Sequence, residues 1–323
     1  MKKGNKSKLR FTLLITTAGS GTGYYLVRCA RKLGVGTVIA GDTNPAKLVP
    51  ASVLADKFFG MPPAADSNFI DGMISLLREH SVDFWIPVLD EEIIEASRLA
   101  ESNTDLPTVI HTQKIQTAEL CFDKLKMAAW LEQNGFATPR TLPIQAATWQ
   151  PDGWFVKPRF GRGSVGASIC KNKEDFIAAK KASPESLAQE IVYPPELTVD
   201  VYAPLRGGKV LAMCRERIEV KSGVCTKARV FYNAGLERTA QRLVEGLKLC
   251  GGFCFQVLSS KQGKCVITDI NPRPGAGTAM SAAVGFDVGT ALICDLAGLP
   301  FQAHLRQIRS SKHVVRAYQE YVT

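Results

Sequence analysis

Residues 266–273 read Val-Ile-Thr-Asp-Ile-Asn-Pro-Arg, and in an extended chain Asp269, Asn271 and Arg273 lie on one face. A carboxylate, an amide oxygen and a guanidinium so arranged suit a magnesium-bound phosphate. Upstream, residues 252–258 form a second apolar, β-prone run, and residues 259–264 read as a hairpin turn around Gln262-Gly263. With Lys261 opposite Lys264, the register puts Gln256 directly across from Asp269. Oxygens of Gln256, Asp269 and Asn271 then converge, and Mg²⁺ takes such hard ligands while leaving room for water and phosphate. The plain alternative is a solvated polar sheet face.

A second segment adds positive charge. Residues 154–170 run from a short apolar strand ending in Lys157 through a loop with Gly161, Arg162, Gly163, Ser164 and Gly166 into another strand. Glycines let consecutive backbone N–H groups converge on phosphate oxygens, so a flexible lid over a nucleotide is expected. An ordinary hairpin loop would have the same composition, and the pattern is not a P-loop. In a third segment, residues 190–192 offer an extended backbone edge to a flat base. Glu196 follows where a carboxylate can accept from ribose hydroxyls.

The order of these parts resembles the ATP-grasp superfamily, specifically its carbamoyl-phosphate-synthetase-like carboxylate–amine ligases. The resemblance begins at Phe122-Asp123-Lys124, with Leu131, Gly135 and Thr138-Pro139, and spans roughly residues 119–298. It implies that Lys124 and Lys157 reach the nucleotide phosphates and that residues 161–166, with Gly161, Gly163, Ser164 and Gly166, form the lid loop. It further implies that Glu190 and Val192 form the adenine hinge and that Glu196 is the ribose carboxylate. Gln256, Asp269 and Asn271 match the metal ligands, and Arg273 the arginine beside the transferred phosphate. Arg215 and Arg217, in the run Met213-Cys-Arg-Glu-Arg217, resemble the arginine strand facing the substrate. The implied cofactors are ATP and Mg²⁺, with Mn²⁺ as a substitute. One departure is visible: the family usually has glutamate where this chain has Asp269, and a shorter carboxylate bridges two ions less readily.

Composition agrees with a cytosolic enzyme. The 323 residues are 46% hydrophobic and 22% charged, enough for two or three domains. The net charge is +10, but five basic residues lie within residues 1–10, a tail without apolar periodicity that is expected to be disordered. The remaining excess suits anionic substrates, and no aromatic-interleaved basic motif points to nucleic acid. Nine cysteines without a CxxC pair read as reduced thiols, with Cys254 and Cys265 assigned to packing, and zinc-type spacing is absent. The apolar run at residues 11–15 is too short for a signal core or a membrane span.

Those elements need a scaffold. A strand over residues 10–17 leads through Gly19-Ser-Gly-Thr-Gly23 into a helix with Leu26, Val27, Ala30 and Leu33, then a strand over 37–41 ending at Asp42. A helix with Phe69, Ile70, Met73, Leu76 and Leu77 on one face follows, then strands over 84–89 and 107–111. This alternation predicts a parallel sheet covered by helices. It also raises a rival, since dinucleotide-binding domains begin this way, but Gly-x-Gly-x-Gly is not the G-x-G-x-x-G spacing. Asp90-Glu91-Glu92 are either substrate contacts or acids at a helix amino terminus. The proline-containing stretch 138–153 marks a boundary, and residues 314–322 suggest a last strand added to the catalytic sheet.

The expected fold class is therefore α/β with an α+β catalytic part: a basic tail (1–10), a Rossmann-like domain (11–115), a linker helix with a small β-rich lid (116–190) and an antiparallel-sheet catalytic part (191–323). The resemblance implies an ATP-dependent ligase that joins a carboxylate to an amine through an acyl phosphate. A regulatory ATP-binding protein without turnover and a dinucleotide-dependent enzyme are the alternatives. Small-molecule carboxylate and amine substrates are the expected partners, with neither nucleic acid nor membrane, and a homodimer is the oligomer to test.

Overall fold

The computed structural model of the protein describes residues 9–102, 105–161, 165–221 and 223–323. The basic tail, apart from residues 9 and 10, and Arg162, Gly163 and Ser164 of the expected lid loop fall outside these described residues.

The first unit contains β1 (Leu9–Ile15), α1 (Gly21–Leu33), β2 (Val35–Asp42), β3 (Lys57–Gly60), α2 (Phe69–Glu79), β4 (Phe84–Ile86), α3 (Asp90–Glu101) and β5 (Val109–Ile110). Its sheet is parallel, with order β3-β2-β1-β4-β5. Successive residues of β1 and β2 point to opposite faces and both faces are covered, so the strands read as unbroken apolar runs. Leu13, Ile15, Val38 and Ala40 pack with Leu26, Val27 and Ala30 of α1. On the other face Leu14, Ile39 and Trp85 pack with Phe69, Met73 and Leu77 of α2. The sequence pattern did not reveal β3, a four-residue edge strand with no fully buried side chain to mark it.

After α4 (Ile115–Phe122) and α5 (Lys124–Gln133) comes a four-stranded antiparallel sheet, with order β6-β9-β7-β8. Its elements are β6 (Thr141–Pro143), β7 (Trp154–Pro158), β8 (Ser168–Cys170), α6 (Lys173–Ala182) and β9 (Ser186–Gln189). The stretch expected to be only a boundary thus donates β6, because its Thr141 pairs with Gln189 at the sheet edge. This small sheet has a core of its own, built from Ile144, Trp154, Val156, Phe176 and Ala188.

The largest sheet has order β14-β13-β10-β11-β12-β15. It comprises β10 (Tyr193–Ala203), β11 (Leu211–Lys221), β12 (Val224–Phe231), β13 (Gly251–Ser259), β14 (Cys265–Asn271) and β15 (Lys312–Val315), with α7 (Ala234–Leu247), α8 (Thr278–Ala282) and α9 (Val288–Leu296). One face is apolar: Val199, Val201, Cys214, Phe253 and Phe255 pack under Met127 and Leu131 of α5 and Leu236, Ala240, Leu243 and Leu247 of α7. The 236/240/243/247 spacing is an amphipathic helical pattern that sequence inspection could have used. The last strand ends at Val315 and not at residue 322: the Arg316 amide makes a final bond to the Thr226 carbonyl. All nine cysteines are free; Cys254 is buried as expected, but Cys265, at the start of edge strand β14, is exposed and does not pack.

The core of the first unit continues into the large sheet, since α1 and α9 share one cluster with Tyr202, Met213 and Val230. At that junction the Tyr25 hydroxyl donates to Asp287 Oδ1 at 2.6 Å and accepts from the Gly289 amide at 2.8 Å, while Asp287 also caps α9 through Thr290. Tyr25→Phe removes the bridging hydroxyl and leaves a buried carboxylate and a buried amide short of a partner. A loss of about 1–3 kcal/mol is expected in equilibrium denaturation, with the midpoint lowered and the slope unchanged.

Candidate functional site

The hairpin of β13 and β14 brings Gln256 opposite Asp269 by a route more indirect than the simple turn. Ser260 pairs with Lys264 around a three-residue turn closed by Gly263, whose φ of 76° demands glycine. That shifts the outer ladder by one residue, so that Ser259 meets Cys265 and Val257 meets Ile267. Thr268 is then an extra residue in β14, and this bulge restores the Gln256–Asp269 pairing.

The polar face so formed is continuous. Gln256 is also opposite Thr198, and Thr198 opposite Arg215, so Asp269, Gln256, Thr198 and Arg215 form a transverse row on four adjacent strands. Along β14, Asn271 Nδ2 donates to Asp269 Oδ2 at 3.1 Å, and Arg273 Nη2 approaches Asn271 Oδ1 at 3.5 Å. Asp269, Asn271 and Arg273 share a face as the alternation predicts.

Lys157, on β7, comes down on this row from the small sheet. Its Nζ donates to Gln189 Oε1 at 3.1 Å and to the carbonyl of the bulged Thr268 at 3.4 Å. Burial lowers its pKa from 10.5 to about 8; Asp269 opposes that change and the charge of Lys124 adds to it. Lys124 opens α5, capped by Asp123, whose side chain accepts from the Leu125 and Lys126 amides. Asp123 is in turn gripped by Arg159 through Nε at 2.9 Å and Nη2 at 2.6 Å, and Lys124 Nζ donates to the Gly161 carbonyl. The root of the glycine loop is thereby moored to the lysine helix. Gly161 and Gly166 have φ of 112° and 75°, and Gly163 and Ser164 lie outside the described residues.

Glu190 connects the two sheets. Its amide donates to the Arg140 carbonyl at 2.9 Å and its carboxylate accepts from the Arg140 amide at 3.2 Å, so side chain and amide serve the linker and only its carbonyl is left for a base. Val192 follows, half-buried. Glu196 is ion-paired to Arg217 Nη1. Arg215 lies deeper than a substrate-facing arginine was expected to lie: it is 2% exposed and paired with Asp200, Nε to Oδ2 at 3.2 Å and Nη2 to Oδ1 at 3.3 Å. Burial opposes the Arg215 cation, but Asp200 keeps its pKa above the ordinary value.

The acidic triplet forms the first turn of α3, as a helix-terminal reading requires, yet each described contact is more specific than a dipole effect. Glu92 is buried and accepts from the Thr16 and Thr17 hydroxyls at 2.7 and 2.6 Å, and burial raises its pKa. Asp90 holds Arg273 in a bidentate pair, both bonds 2.9 Å. This partnership links residues 183 apart and has no local signal. In the glycine turn after β1, the Gly19 amide is taken by Asp42 Oδ2 at 2.7 Å, so the acid after the second strand serves its own loop.

The donor set fits one hard cation: Gln256, Asp269 and Asn271 carry carboxylate and amide oxygens on adjacent paired strands. Among the described residues no three of His, Cys, Asp and Glu gather as a metal cluster.

An ATP-grasp domain model matches residues 121–277, and a PylC-like N-terminal domain model matches residues 13–109. The chain belongs to the ATP-grasp superfamily. The matched domain makes ATP its nucleotide. No protein of curated function matches the chain in sequence. Solved structures share the fold. N5-carboxyaminoimidazole synthetase from Staphylococcus aureus, complexed with ADP, is 17% identical, with 92% of this chain and 79% of that one covered and a TM-score of 0.74. L-amino acid ligase from Bacillus licheniformis is 16% identical, with 95% and 80% covered and a TM-score of 0.73. The biotin carboxylase domain of Hydrogenobacter thermophilus 2-oxoglutarate carboxylase, bound to MgADP and bicarbonate, is 13% identical, with 93% and 71% covered and a TM-score of 0.70. No helix among the described residues is long and apolar enough to cross a membrane.

Asp90→Ala strips the carboxylate from a largely buried guanidinium, and a loss of about 1–3 kcal/mol is expected in denaturant unfolding; a loss below about 0.5 kcal/mol would mean that the pair does not hold the two units together. For Lys157, the amine is charged below about pH 8 and loses its charge above it. ATP affinity should therefore fall as pH rises through about 8, and Lys157→Arg should flatten the profile, read by nucleotide titration from roughly pH 6.5 to 9.5. Stability has the opposite sign. The unfolded lysine keeps its proton up to 10.5, so between about 8 and 10.5 the unfolded chain binds more protons and the free protein gains stability with rising pH.

Proposed function

We propose that this chain is an ATP-dependent carboxylate–amine ligase that forms an amide or peptide bond through an acyl phosphate and releases ADP and phosphate. The observation that carries the reading is the polar row from Asp269 through Gln256 and Thr198 to Arg215, with Lys157 above its metal end and Arg273 beside it.

Magnesium held by Asp269, Asn271 and Gln256 would neutralise and align the β- and γ-phosphoryl oxygens. Lys124 and Lys157 bind phosphate oxygens, and the backbone from Glu190 to Val192 binds the base with Glu196 at the ribose. A substrate carboxylate oxygen attacks the γ-phosphorus, the bond to the ADP oxygen breaks, and Arg273 offsets charge on the transferred phosphoryl group. The amine lone pair then attacks the acyl carbon; the carbon–oxygen bond to phosphate breaks and the amine gives up a proton. No side-chain nucleophile is used, so the protein contributes position and electrostatics. Asp90 fixes the Arg273 guanidinium before ATP arrives, so no reorganisation is needed at the reacting centre. The relatives named N5-carboxyaminoimidazole synthetase and L-amino acid ligase support this class by fold and leave the substrates open.

The test is ADP release by the purified protein with ATP, Mg²⁺ and pooled amino acids or small carboxylates, followed by mass analysis of product. Asp269→Asn should abolish Mg²⁺-dependent ADP formation while leaving the fold and much of the nucleotide affinity intact, whereas Asp269→Glu should preserve or raise turnover. Normal turnover in Asp269→Asn would refute metal ligation by β14. If the wild type binds Mg·ATP yet no pool stimulates ADP release and Asp269→Glu does respond, the shortened carboxylate marks a regulatory ATP-binding protein.

A further inference from the structure

The far end of the polar row carries more positive charge than the protein neutralises. Arg215 has one carboxylate, Asp200, and that carboxylate is fully engaged: it also accepts from the Thr278 hydroxyl at 2.8 Å and the Ser281 hydroxyl at 2.6 Å. Gly277 covers the face of the Arg215 guanidinium, where a Cβ would sit 2.2 Å from Nη1 and 2.3 Å from Cζ. A second guanidinium reaches the same loop from the end of β15, where Arg316 Nη2 donates to the Ala276 carbonyl at 2.7 Å. Arg316 is half-buried and, among the described residues, has no carboxylate partner; Arg215, Cys225 and Tyr318 are the titratable groups that act on it. Burial lowers its pKa and the charge of Arg215 lowers it further, as two cations sharing one loop require. Ala276 also faces Gly21 of the first glycine turn, where a Cβ would come within 3.3 Å of the Ala276 Cβ. The loop is thus enclosed by both arginines and the turn after β1. It lies about three strand spacings, roughly 14 Å, from the Asp269 end of the row.

We infer that Arg316, with the buried charge of Arg215 behind it, binds a carboxylate of the substrate other than the one that is phosphorylated, and so selects substrates bearing a second anionic group. This rests on the ligase reading for its meaning, because the group bound there belongs to a molecule whose reacting end lies toward Lys157 and Arg273. Arg316 lies beyond residues 121–277, the stretch matched by the ATP-grasp domain model. The planar fork of an arginine suits a carboxylate held by two hydrogen bonds, and its backbone contact fixes the fork in place.

The experiment is calorimetry on the full chain saturated with Mg²⁺ and a non-hydrolysable ATP analogue. It is titrated with α-amino acids and short dicarboxylates, each beside its carboxamide. At least one acid is expected to bind about tenfold or more tightly than its amide, the size of a charge-assisted hydrogen bond. Arg316→Gln should reduce that preference to about twofold or less without changing affinity for the nucleotide, and Arg316→Lys should keep part of it. The preference is a ratio within one variant, so a general loss of folding does not imitate it. Equal binding of acids and amides by the wild type, binding of neither, or an unchanged preference in Arg316→Gln would each overturn the inference. Its fate separates from that of the ligase reading. An Arg316-dependent preference without ADP formation would sink the ligase reading alone, and turnover indifferent to the second carboxylate would sink this one alone.

Discussion

One extra residue in β14 governs the site. Without the bulge at Thr268, the register set by the turn at Ser260 and Lys264 would pair Gln256 with Thr268 and turn Asp269 toward the face that holds Phe255 and Val257. Side chains alternate faces along a strand, so a slip of one residue exchanges the whole polar set for the apolar one. The bulge returns Asp269 to the side of Gln256, and its freed carbonyl receives Lys157 from the other sheet. The same irregularity therefore aims the metal carboxylate and gives the phosphate lysine a resting partner.

Most of the remaining charges at the site are paired with a group brought from elsewhere in the chain. Arg273 is matched by Asp90 at the start of α3 in the first unit, Arg215 by Asp200 from the neighbouring strand, and Asp123 by Arg159 at the root of the glycine loop. A buried cation without a partner is costly, so these pairs order the site before any nucleotide is present. Lys157 and Arg316 are exceptions, with neutral oxygen partners only; burial, and then the charge of Lys124, lowers the pKa of Lys157. A lysine held in this state gains most from an arriving phosphate.

The first domain acts as more than a pedestal. Its α1 shares a core with α9, its α3 supplies Asp90, and its glycine turn faces the loop at Ala276. That turn also explains why the dinucleotide comparison fails physically as well as in spacing: the Gly19 amide is already bonded to Asp42, the acid that would otherwise meet a ribose.

The sequence by itself determined what is local and periodic. Apolar runs flanked by glycine turns specified the parallel sheet, alternation specified that Asp269, Asn271 and Arg273 share a face, and the ordered set of lysines, glycines and acids specified the superfamily. Short edge strands such as β3, the amphipathic α7 and the early end of β15 were missed, the first because four residues carry too little pattern. Only the tertiary structure decided the partnerships: Asp90 with Arg273, Lys157 with Gln189 and Thr268, and Arg316 with the loop beside Arg215. Periodicity reports which face a side chain occupies and nothing about what lies across from that face. The identity of a partner 183 residues away depends on how two sheets pack, and that packing follows from the summed burial of the shared cores and from no single residue.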